Sequence, residues 1–226
     1  TYMSGNPDLK PETIHDLTLS GSYKWLQFMI SYQREKDAIL YITEQYEKNP
    51  AITTVTHRNF NRIDNFSAFL TASPAIGSWH PQLTVGIQKQ WAKIEHNGET
   101  LQMDTPLFFC TLNNGIQLPY HWALSADINF QSKGDYQNIY MYQNVFMMNA
   151  TLTKSFLNEH LSIHLQGIDL THGRKDGNRI YNKHMNMDVA NVSDSRELRF
   201  TIRYKFNTAK SKYKGKGAAA EEIKRL

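Results

Sequence analysis

Apolar and polar residues alternate with a period of two along most of this chain. The alternation is strongest over residues 198–206, where Leu, Phe, Ile, Tyr and Phe occupy one parity and Arg, Thr, Arg and Lys the other. Successive side chains of a strand point to opposite faces, so this segment predicts a strand with one apolar and one charged face. The same pattern recurs in residues 26–33, 83–88, 122–131, 140–152 and 161–166.

The length of these segments favours a membrane barrel over a soluble sheet. Strands in soluble sheets run about five or six residues, whereas a tilted strand needs about 9–11 to cross a bilayer. The polar parity carries Gln, Asn, Asp, Arg and Lys, which suits a wet lumen. We therefore expect an all-β, antiparallel, up-and-down transmembrane β-barrel segment of about nine long strands. Their predicted spans are 12–21, 24–42, 60–73, 82–95, 106–118, 121–132, 138–155, 160–170 and 196–207.

Short and long connections alternate between these strands, as in outer-membrane barrels. The predicted short connections are Gly21-Ser22, Pro74 to Pro81, Leu118 to Tyr120 and Phe156 to His160. The predicted long ones are Glu44 to Asn61, Glu95 to Pro106, Lys133 to Gln137 and Thr171 to Ser195, with a turn signal at Asp176-Gly177-Asn178.

The apolar parity of the predicted strands is expected to face lipid. These residues are Leu26, Phe28, Ile30, Leu83, Val85, Ile87, Trp122, Leu124, Ile128, Phe130, Leu198, Phe200, Ile202 and Tyr204. Aromatic rings near the strand ends predict girdles at the membrane boundary, with ordinary packing in a soluble sheet as the alternative. The girdle candidates are Trp25, Trp79, Trp91, Tyr120 and Trp122.

Composition agrees with a folded chain that has no membrane-spanning helix. Of 226 residues, 40% are hydrophobic, 12% aromatic and 20% charged, and mean hydropathy is −0.55. No apolar run approaches the ~20 residues of a spanning helix. The net charge of +4 falls largely in the tail, so we expect no nucleic-acid partner.

The chain is predicted to consist of a barrel part, 1–207, and a polar basic tail, 208–226. The lone Cys110 excludes an internal disulfide.

No residue pattern points to catalysis, a metal or a cofactor, and we expect no enzyme. His160 and His164 are four apart, which in a strand leaves them roughly 13 Å apart and unable to share one ion. Arg199, Arg203 and Lys205 would charge the lumen and pair with carboxylates such as Asp127, or steer an anionic substrate. The predicted long loops hold candidate ligand contacts, of which none can be singled out: Tyr41, Tyr46, His57, Arg58, Arg174 and Tyr181.

Both ends of the chain resemble one family. The octapeptide Gly5-Asn6-Pro7-Asp8-Leu9-Lys10-Pro11-Glu12 resembles a signature of TonB-dependent outer-membrane receptors, whose motif positions here are Gly5, Asn6, Pro7, Leu9, Pro11 and Glu12. There it lies outside the cell, just before a strand that descends into the membrane. The last strand, ending on Tyr204 and Phe206, resembles the signal read by the outer-membrane assembly machinery. The tail around Lys212 to Gly215 is similar to that of outer-membrane β-barrel family proteins.

This resemblance implies the last strands of a barrel of about 22 in a Gram-negative outer membrane, with the C-terminus in the periplasm. Implied partners are outer-membrane lipid, earlier barrel strands, a plug domain, the TonB energy-coupling protein and, as a candidate, a surface lipoprotein. The ligand would be an iron chelate, a glycan, a vitamin or a peptide. A plug-less channel or surface-structural barrel is the second hypothesis, and a soluble carbohydrate-binding β-sandwich the third. Nine strands of a larger barrel should form a curved sheet that is open or imperfectly closed.

Overall fold

The computed structural model describes residues 2–46, 49–192 and 194–206, and its regular elements in this part of the chain are strands. The tail predicted for 208–226 lies outside the described residues. The strands are β1 (Tyr2–Met3), β2 (Thr13–Tyr23), β3 (Leu26–Tyr46), β4 (Asn49–Ala72), β5 (Gln82–His96), β6 (Glu99–Met103), β7 (Leu107–Leu118), β8 (Trp122–Gln131), β9 (Gly134–Tyr136), β10 (Ile139–Met141), β11 (Val145–Phe156), β12 (Leu161–Ile168), β13 (Lys175–Tyr181), β14 (Asn186–Val192) and β15 (Glu197–Tyr204).

Nine long strands form one antiparallel sheet, which confirms the predicted fold class. Their order is β15-β12-β11-β8-β7-β5-β4-β3-β2, with β6 paired to β5 and the short β1 paired in parallel to β4. Each predicted span overlaps one of these nine strands, and β3 and β4 extend well beyond their predicted spans at the loop end. The sheet is not closed, because β2 and β15 lie at opposite edges and each has one neighbour in the described part of the chain. This is the open arrangement expected of a segment of a larger barrel.

The connections at one end of the sheet are short, and this end is called the turn end. They are 24–25, 73–81, 119–121 and 157–160, and the opposite end of the sheet is called the loop end. The first turn was predicted at Gly21-Ser22, which is wrong, because both residues pair within β2. The chain turns instead at Lys24, which adopts a φ of 51°.

Two predicted loops at the loop end are strands. β3 and β4 remain paired to Tyr46 and Asn49, so most of the loop predicted from Glu44 to Asn61 is a long hairpin. β-branched residues of this stretch, such as Thr54, Val55 and Thr56, suit a pleated surface. The loop predicted from Glu95 to Pro106 contains a second hairpin, β5–β6. Its turn is Asn97-Gly98, with φ values of 51° and 81°, and an Asn-Gly pair is a strong hairpin signal.

The two remaining long connections fold together into a second sheet, called the cap sheet. Its order is β14-β13-β10-β9. The span predicted as one strand from 138 to 155 is therefore divided between β10 of the cap sheet and β11 of the main sheet. The turn predicted at Asp176-Gly177-Asn178 is also wrong, since these residues pair with Asn191 to Val189 inside the β13–β14 ladder.

The buried apolar core lies at the loop end, between the main sheet and the cap sheet. Tyr140 and Tyr181 of the cap sheet pack against a cluster of buried residues on β3 to β6, namely Ala38, Leu40, Ile63, Ala92, Ile94 and Met103. Towards the turn end the main sheet has large exposed apolar side chains instead. Phe200 and Ile202 are 62% and 61% exposed. A soluble β-sandwich would enclose these residues in a dry interior, so the exposure argues against that alternative.

Candidate functional site

One face of the main sheet carries a continuous apolar band. Strand register places Ile30, Ala68 and Ile87 in one row across β3, β4 and β5. Leu112, Ile128 and Met148 continue such a row across β7, β8 and β11. Every residue predicted to face lipid lies on this face, here called the outer face; that it touches lipid remains a prediction. The other face is called the inner face.

The height of this apolar band matches a bilayer. On β3 it lies between Leu26 and the border residue Arg34, and on β5 between Leu83 and the border residue Trp91, with Lys89 near that border; each distance is eight residue steps. At about 3.3 Å per residue these steps span about 26 Å along the strand. A strand tilt of about 40° reduces this length to a height of about 20 Å, close to the apolar band of outer-membrane barrels.

Aromatic side chains lie at both borders of the band. Trp25, Trp79, Tyr120 and Trp122 lie at the turn end, and Trp91 at the loop end. The Trp79 indole donates a hydrogen bond to Asn114 Oδ1 at 3.3 Å and so supplies a partner to a polar side chain of the outer face. Such positions suit amphipathic rings at a membrane boundary, although their role as girdles is a prediction.

Lysines accompany these border aromatics. Lys154 Nζ lies 5.0 Å from the Trp122 ring centroid and donates to the carbonyl of Tyr120. At the opposite border, Lys89 Nζ lies 5.3 Å from the Trp91 centroid. Each lysine can cover apolar surface with its stem and direct its ammonium group towards water.

The inner face is polar between the same borders, and its side chains bond across strands. Thr71 and Thr84 hydroxyls lie 2.9 Å apart, and Thr111 donates to Asn129 at 3.3 Å. His164 contacts Thr153 at 3.0 Å. The inner face thus carries mainly hydroxyl, amide and imidazole groups, interrupted by the Phe69 and Phe109 rings, whose centroids are 6.1 Å apart. A mainly polar face of this kind suits a lumen wall.

His160 and His164, which were expected to be unable to share one ion, have different partners. His164 also contacts Ser162 at 2.9 Å, whereas His160 Nδ1 lies 3.4 Å from the carbonyl oxygen of Lys205. Within the described ranges, no group of three or more His, Cys, Asp or Glu side chains could hold a metal ion. No helix in those ranges is long and apolar enough to cross a membrane.

The structure corrects the partner proposed for Arg199. Its Nε and Nη2 atoms donate to the two Glu197 carboxylate oxygens, each at 2.9 Å, so the pair forms along one strand and not with Asp127. Arg199 and Glu197 are about half exposed, which makes the pair a weak contribution to stability. Both residues lie on the inner face, where they add no net charge.

Beyond the band, towards the loop end, the apolar side chains lie on the inner face and charged side chains lie on the outer face. The inner-face residues Ile63, Ala92 and Ile94 are buried beneath the cap sheet, while the outer face carries Arg62 and Lys93. The cap sheet therefore covers the inner face of the main sheet at one mouth of the prospective lumen.

Buried amide side chains attach the cap sheet to the main sheet. Gln90, 2% exposed, donates to Gln137 O at 2.8 Å and accepts from Gln137 N at 2.6 Å. Asn138, also 2% exposed, donates to the carbonyl of Tyr41. Asn182 accepts from Thr43 N at 2.7 Å. Each of these side-chain amides bonds to a backbone N–H or C=O group, as a neighbouring strand would. The bonds therefore fix which residues of the cap sheet face which residues of the main sheet.

The candidate ligand residues assigned to loops lie mostly in strands. Tyr41, Tyr46, His57 and Arg58 belong to the β3–β4 hairpin, Tyr181 ends β13, and Arg174 precedes it. The Tyr41 and His57 rings are 4.1 Å apart, and Arg58 pairs with Glu44 at 2.8 Å. A hollow of about 480 Å³ lies at this tip, lined by Thr43, Glu44, Gln45, Tyr46, Arg58, Lys183, His184 and Met185. Sequence reasoning missed the part that the cap sheet supplies to this hollow.

Asp169 organises the connection between β12 and the cap sheet. It is 2% exposed, and burial alone would raise the pKa of its carboxyl. Hydrogen bonds from the Ser195 hydroxyl and the Gly173 and Arg174 amides outweigh burial and hold that pKa below its ordinary value. On the cap sheet, hydrogen bonds from Arg179 lower the pKa of Asp188, with Nε donating at 2.7 Å.

The octapeptide that carries the family resemblance lies at the loop end, directly before β2. Asn6 Nδ2 donates to His57 O at 2.9 Å, and Asn6 Oδ1 accepts from Asp8 N at 3.0 Å. The Asn59 side chain accepts from Lys10 N and donates to Lys10 O, at 2.8 and 2.9 Å. The segment is thus held against β4 by side-chain amides. At the other terminus, the Tyr204 and Phe206 rings pack edge to face, 4.6 Å apart.

An open antiparallel sheet with an apolar band on one face and a polar opposite face defines a segment of a β-barrel membrane wall. Residues 1–204 match the outer membrane protein beta-barrel family, and the chain belongs to that family. It is accordingly an outer-membrane β-barrel protein.

A solved structure of the outer membrane transporter YddB from Escherichia coli is similar to this chain, with a TM-score of 0.52 and 12% sequence identity. The match covers 88% of this chain and 33% of the transporter, so the chain spans about a third of that protein's length. At this identity the likeness shows the fold alone. No curated protein matches the sequence.

Proposed function

We propose that this chain forms the C-terminal part of the barrel of a TonB-dependent receptor and serves as membrane wall for energised substrate uptake, without enzymatic activity. The observation that carries the proposal is the sheet with an apolar outer face and a polar inner face, open at β2 and β15. Unpaired N–H and C=O groups at such edges are costly in hydrocarbon. Further strands therefore have to complete the wall, which fits a large barrel.

The orientation we propose puts the loop end outside the cell and the turn end, with Phe206, in the periplasm. Outer-membrane barrels have short periplasmic turns and longer external connections, which is the asymmetry of this sheet. The octapeptide at residues 5–12 lies at the proposed external end, where the family resemblance expects it. The missing partners in this proposal are earlier strands, a plug and the TonB protein.

Substrate capture is assigned to the loop end. The hollow at the tip of the β3–β4 hairpin combines Tyr46, the Arg58–Glu44 pair and the cap-sheet residue Lys183. Cap-sheet residues cover the inner face of the main sheet next to this hollow. An iron chelate, a glycan, a vitamin and a peptide all remain candidate ligands.

Orientation and mechanism can be tested separately on the complete protein. An epitope inserted after Gly98 should be accessible to antibody on intact cells, whereas one inserted after Gly77 should need permeabilised cells. In planar bilayers of purified protein, a plugged receptor should conduct little KCl current and should bind the isolated periplasmic domain of TonB. A large steady conductance without TonB binding would instead support the passive channel. If only the epitope after Gly77 were accessible to antibody on intact cells, the orientation would be the opposite of the one proposed.

A further inference from the structure

Five cationic side chains form a patch on the outer face, at the loop-end border of the apolar band. This patch, called the basic collar, consists of Arg34, Lys36, Arg62, Lys89 and Lys93. Strand register places them on one face, because Lys36 pairs with Arg62, Arg34 with Asp64, and Asp64 with Trp91. Arg34 and Lys89 lie at the loop-end border of the apolar band, and Lys36, Arg62 and Lys93 lie beyond it. Two carboxylates, Asp64 and Asp104, share this surface, which leaves a net charge of +3.

Asp64 fixes the two arginines of the collar in place. Its side chain is 9% exposed, and its oxygens accept from Arg34 Nε at 2.8 Å and from Arg62 Nε at 2.5 Å. The Tyr32 hydroxyl donates a third bond at 2.7 Å. The arginine side chains remain 46% and 53% exposed. Both guanidinium groups are held at Nε, and Arg34 Nη2 also donates to the Tyr32 hydroxyl at 3.0 Å. Arg34 Nη1 and the terminal nitrogens of Arg62 have no hydrogen-bond partner among the described residues and can donate to a ligand.

A hollow in the outer face adjoins these guanidinium groups. It measures about 370 Å³ and is lined by Asn61, Arg62, Asp64, Trp91, Ala92, Lys93, Gln102 and Asp104. Trp91 is 44% exposed at this height, and Lys89 lies over its ring. A tryptophan in such a position marks the headgroup region of a bilayer, so the hollow opens at headgroup level.

The turn-end border of the same face has fewer cations, and they do not form a patch. On the strands from β2 to β11 they are Lys24, which lies over the Tyr23 ring, and, several strands away, Lys154, which lies over the Trp122 ring of its neighbouring strand β8. Long side chains that merely reach for water would be expected at both borders without clustering. The clustering of five cations at one border therefore points to a ligand at the loop end.

We propose that the basic collar binds the phosphorylated headgroup of a lipid in the leaflet at the loop end. Terminal N–H groups of Arg34 and Arg62 donate to phosphate oxygens, for which the planar guanidinium is well suited. Lys36, Lys89 and Lys93 add positive charge around it, and the acyl chains lie on the apolar band below. Because Asp64 has already ordered the arginines, little side-chain entropy is lost on binding. Assignment of this leaflet as the external one rests on the proposed function.

The binding can be measured on the complete protein in phosphatidylcholine nanodiscs that contain either diphosphoryl lipid A or the same lipid without phosphates. Native mass spectrometry of protein released from the discs reports the retained lipid. We expect preferential retention of the diphosphoryl lipid, lowered at least about tenfold in the Arg34→Gln/Arg62→Gln variant, since each loses a charged hydrogen bond. The matched control at the other border, Lys24→Gln/Lys154→Gln, should retain it as the unaltered protein does.

A second variant protects the test against misfolding, because the arginines also bond to Asp64. Lys36→Gln/Lys89→Gln/Lys93→Gln removes charge without breaking a hydrogen bond to Asp64, and it should lower retention and flatten its dependence on salt. Equal retention of the two lipids, or loss in the turn-end control alone, would overturn the proposal. Retention that depends on the collar in a protein that fails to bind TonB would uphold this inference while refuting energised uptake.

Discussion

The substitution Gln90→Ala should release the cap sheet from the main sheet. Gln90 forms two hydrogen bonds with the backbone of Gln137, at 2.8 and 2.6 Å. Each such bond contributes about 1 kcal/mol net, and an unsatisfied buried partner costs about 1–3 kcal/mol. Gln137 is half-buried, so water can replace part of what is lost. We therefore expect the free energy of local cap-sheet opening to fall by about 2 kcal/mol.

Hydrogen–deuterium exchange of the reconstituted protein measures this opening directly. A loss of about 2 kcal/mol raises the opening equilibrium about 30-fold, so amides of residues 134–141 should exchange about 30 times faster. Strand amides of the apolar band should be unaffected. The control is Gln88→Ala, which removes a side chain of the same face and strand without a hydrogen bond to another described residue. Equal acceleration in both variants, or none in Gln90→Ala, would refute the assignment of the amide pair as the attachment.

Three further predictions test the faces and the loop end. Ile128→Arg on the outer face should lower the free energy of unfolding in lipid vesicles by about 2–4 kcal/mol, whereas the inner-face variant Ser125→Arg on the same strand should change it little; equal effects would contradict the proposed lipid face. A Cβ on Gly86 would lie 2.2 Å from an aromatic ring atom, so Gly86→Ala should cost about 1–3 kcal/mol in urea unfolding, while Gly115→Ala, with open space around it, should be neutral. The pKa of the Asp169 carboxyl is lowered in the folded protein, so the carboxylate stabilises its loop at pH values above the ordinary pKa of about 3.9. This stabilisation should be lost as the pH falls from about 3.9 through the lower folded-state pKa. Asp169→Asn should therefore abolish the pH dependence of proteolysis in that loop.

The membrane strands could be predicted from the sequence because both of their faces have simple surroundings. An apolar outer face and a polar inner face require strict alternation, as in β8 from Trp122 to Gln131. The nine spans follow from this rule alone. The outer-membrane β-barrel family was predicted from the closing Tyr204 and Phe206 together with the tail around Lys212 to Gly215, and the family match confirms it. The octapeptide indicated the TonB-dependent receptors, which stays a prediction.

The strands at the loop end could not be predicted because their conformation depends on contacts with other strands and not on a simple alternation of two faces. β13 contains Asp176, Gly177 and Asn178, which favour turns in isolation, yet pairing with β14 holds them extended. The hollow and the cap-sheet attachment depend on contacts between residues such as Gln90 and Gln137, 47 positions apart. No local pattern encodes that distance. Only the Asn97-Gly98 turn carried a local signal that could have been used.

The apolar side chains change from the outer to the inner face near the loop end, and this change explains where a single alternation pattern no longer fits the strands. On β5, the outer face carries Val85 and Ile87 within the band and Lys93 beyond Trp91, while buried Ala92 and Ile94 occupy the inner face. The apolar parity thus switches where the apolar band of the outer face ends and the cap sheet covers the inner face. We expect such a switch of parity within one continuous strand to mark the membrane border.

On β3, apolar side chains also become buried in the core near the loop end, but they keep the same parity along the strand. Ala38 and Leu40 share the even parity of Ile30, yet they are buried in the core formed with the cap sheet. The strand must therefore rotate between Ile30 and Ala38, and Asp37, with a φ of 54°, is the residue in a left-handed conformation there. Asn59 donates to the Asp37 carbonyl at 2.7 Å and also holds Lys10 of the octapeptide. The resemblance motif is thus attached where β3 changes its buried face, which gives it a structural reason to lie at this border.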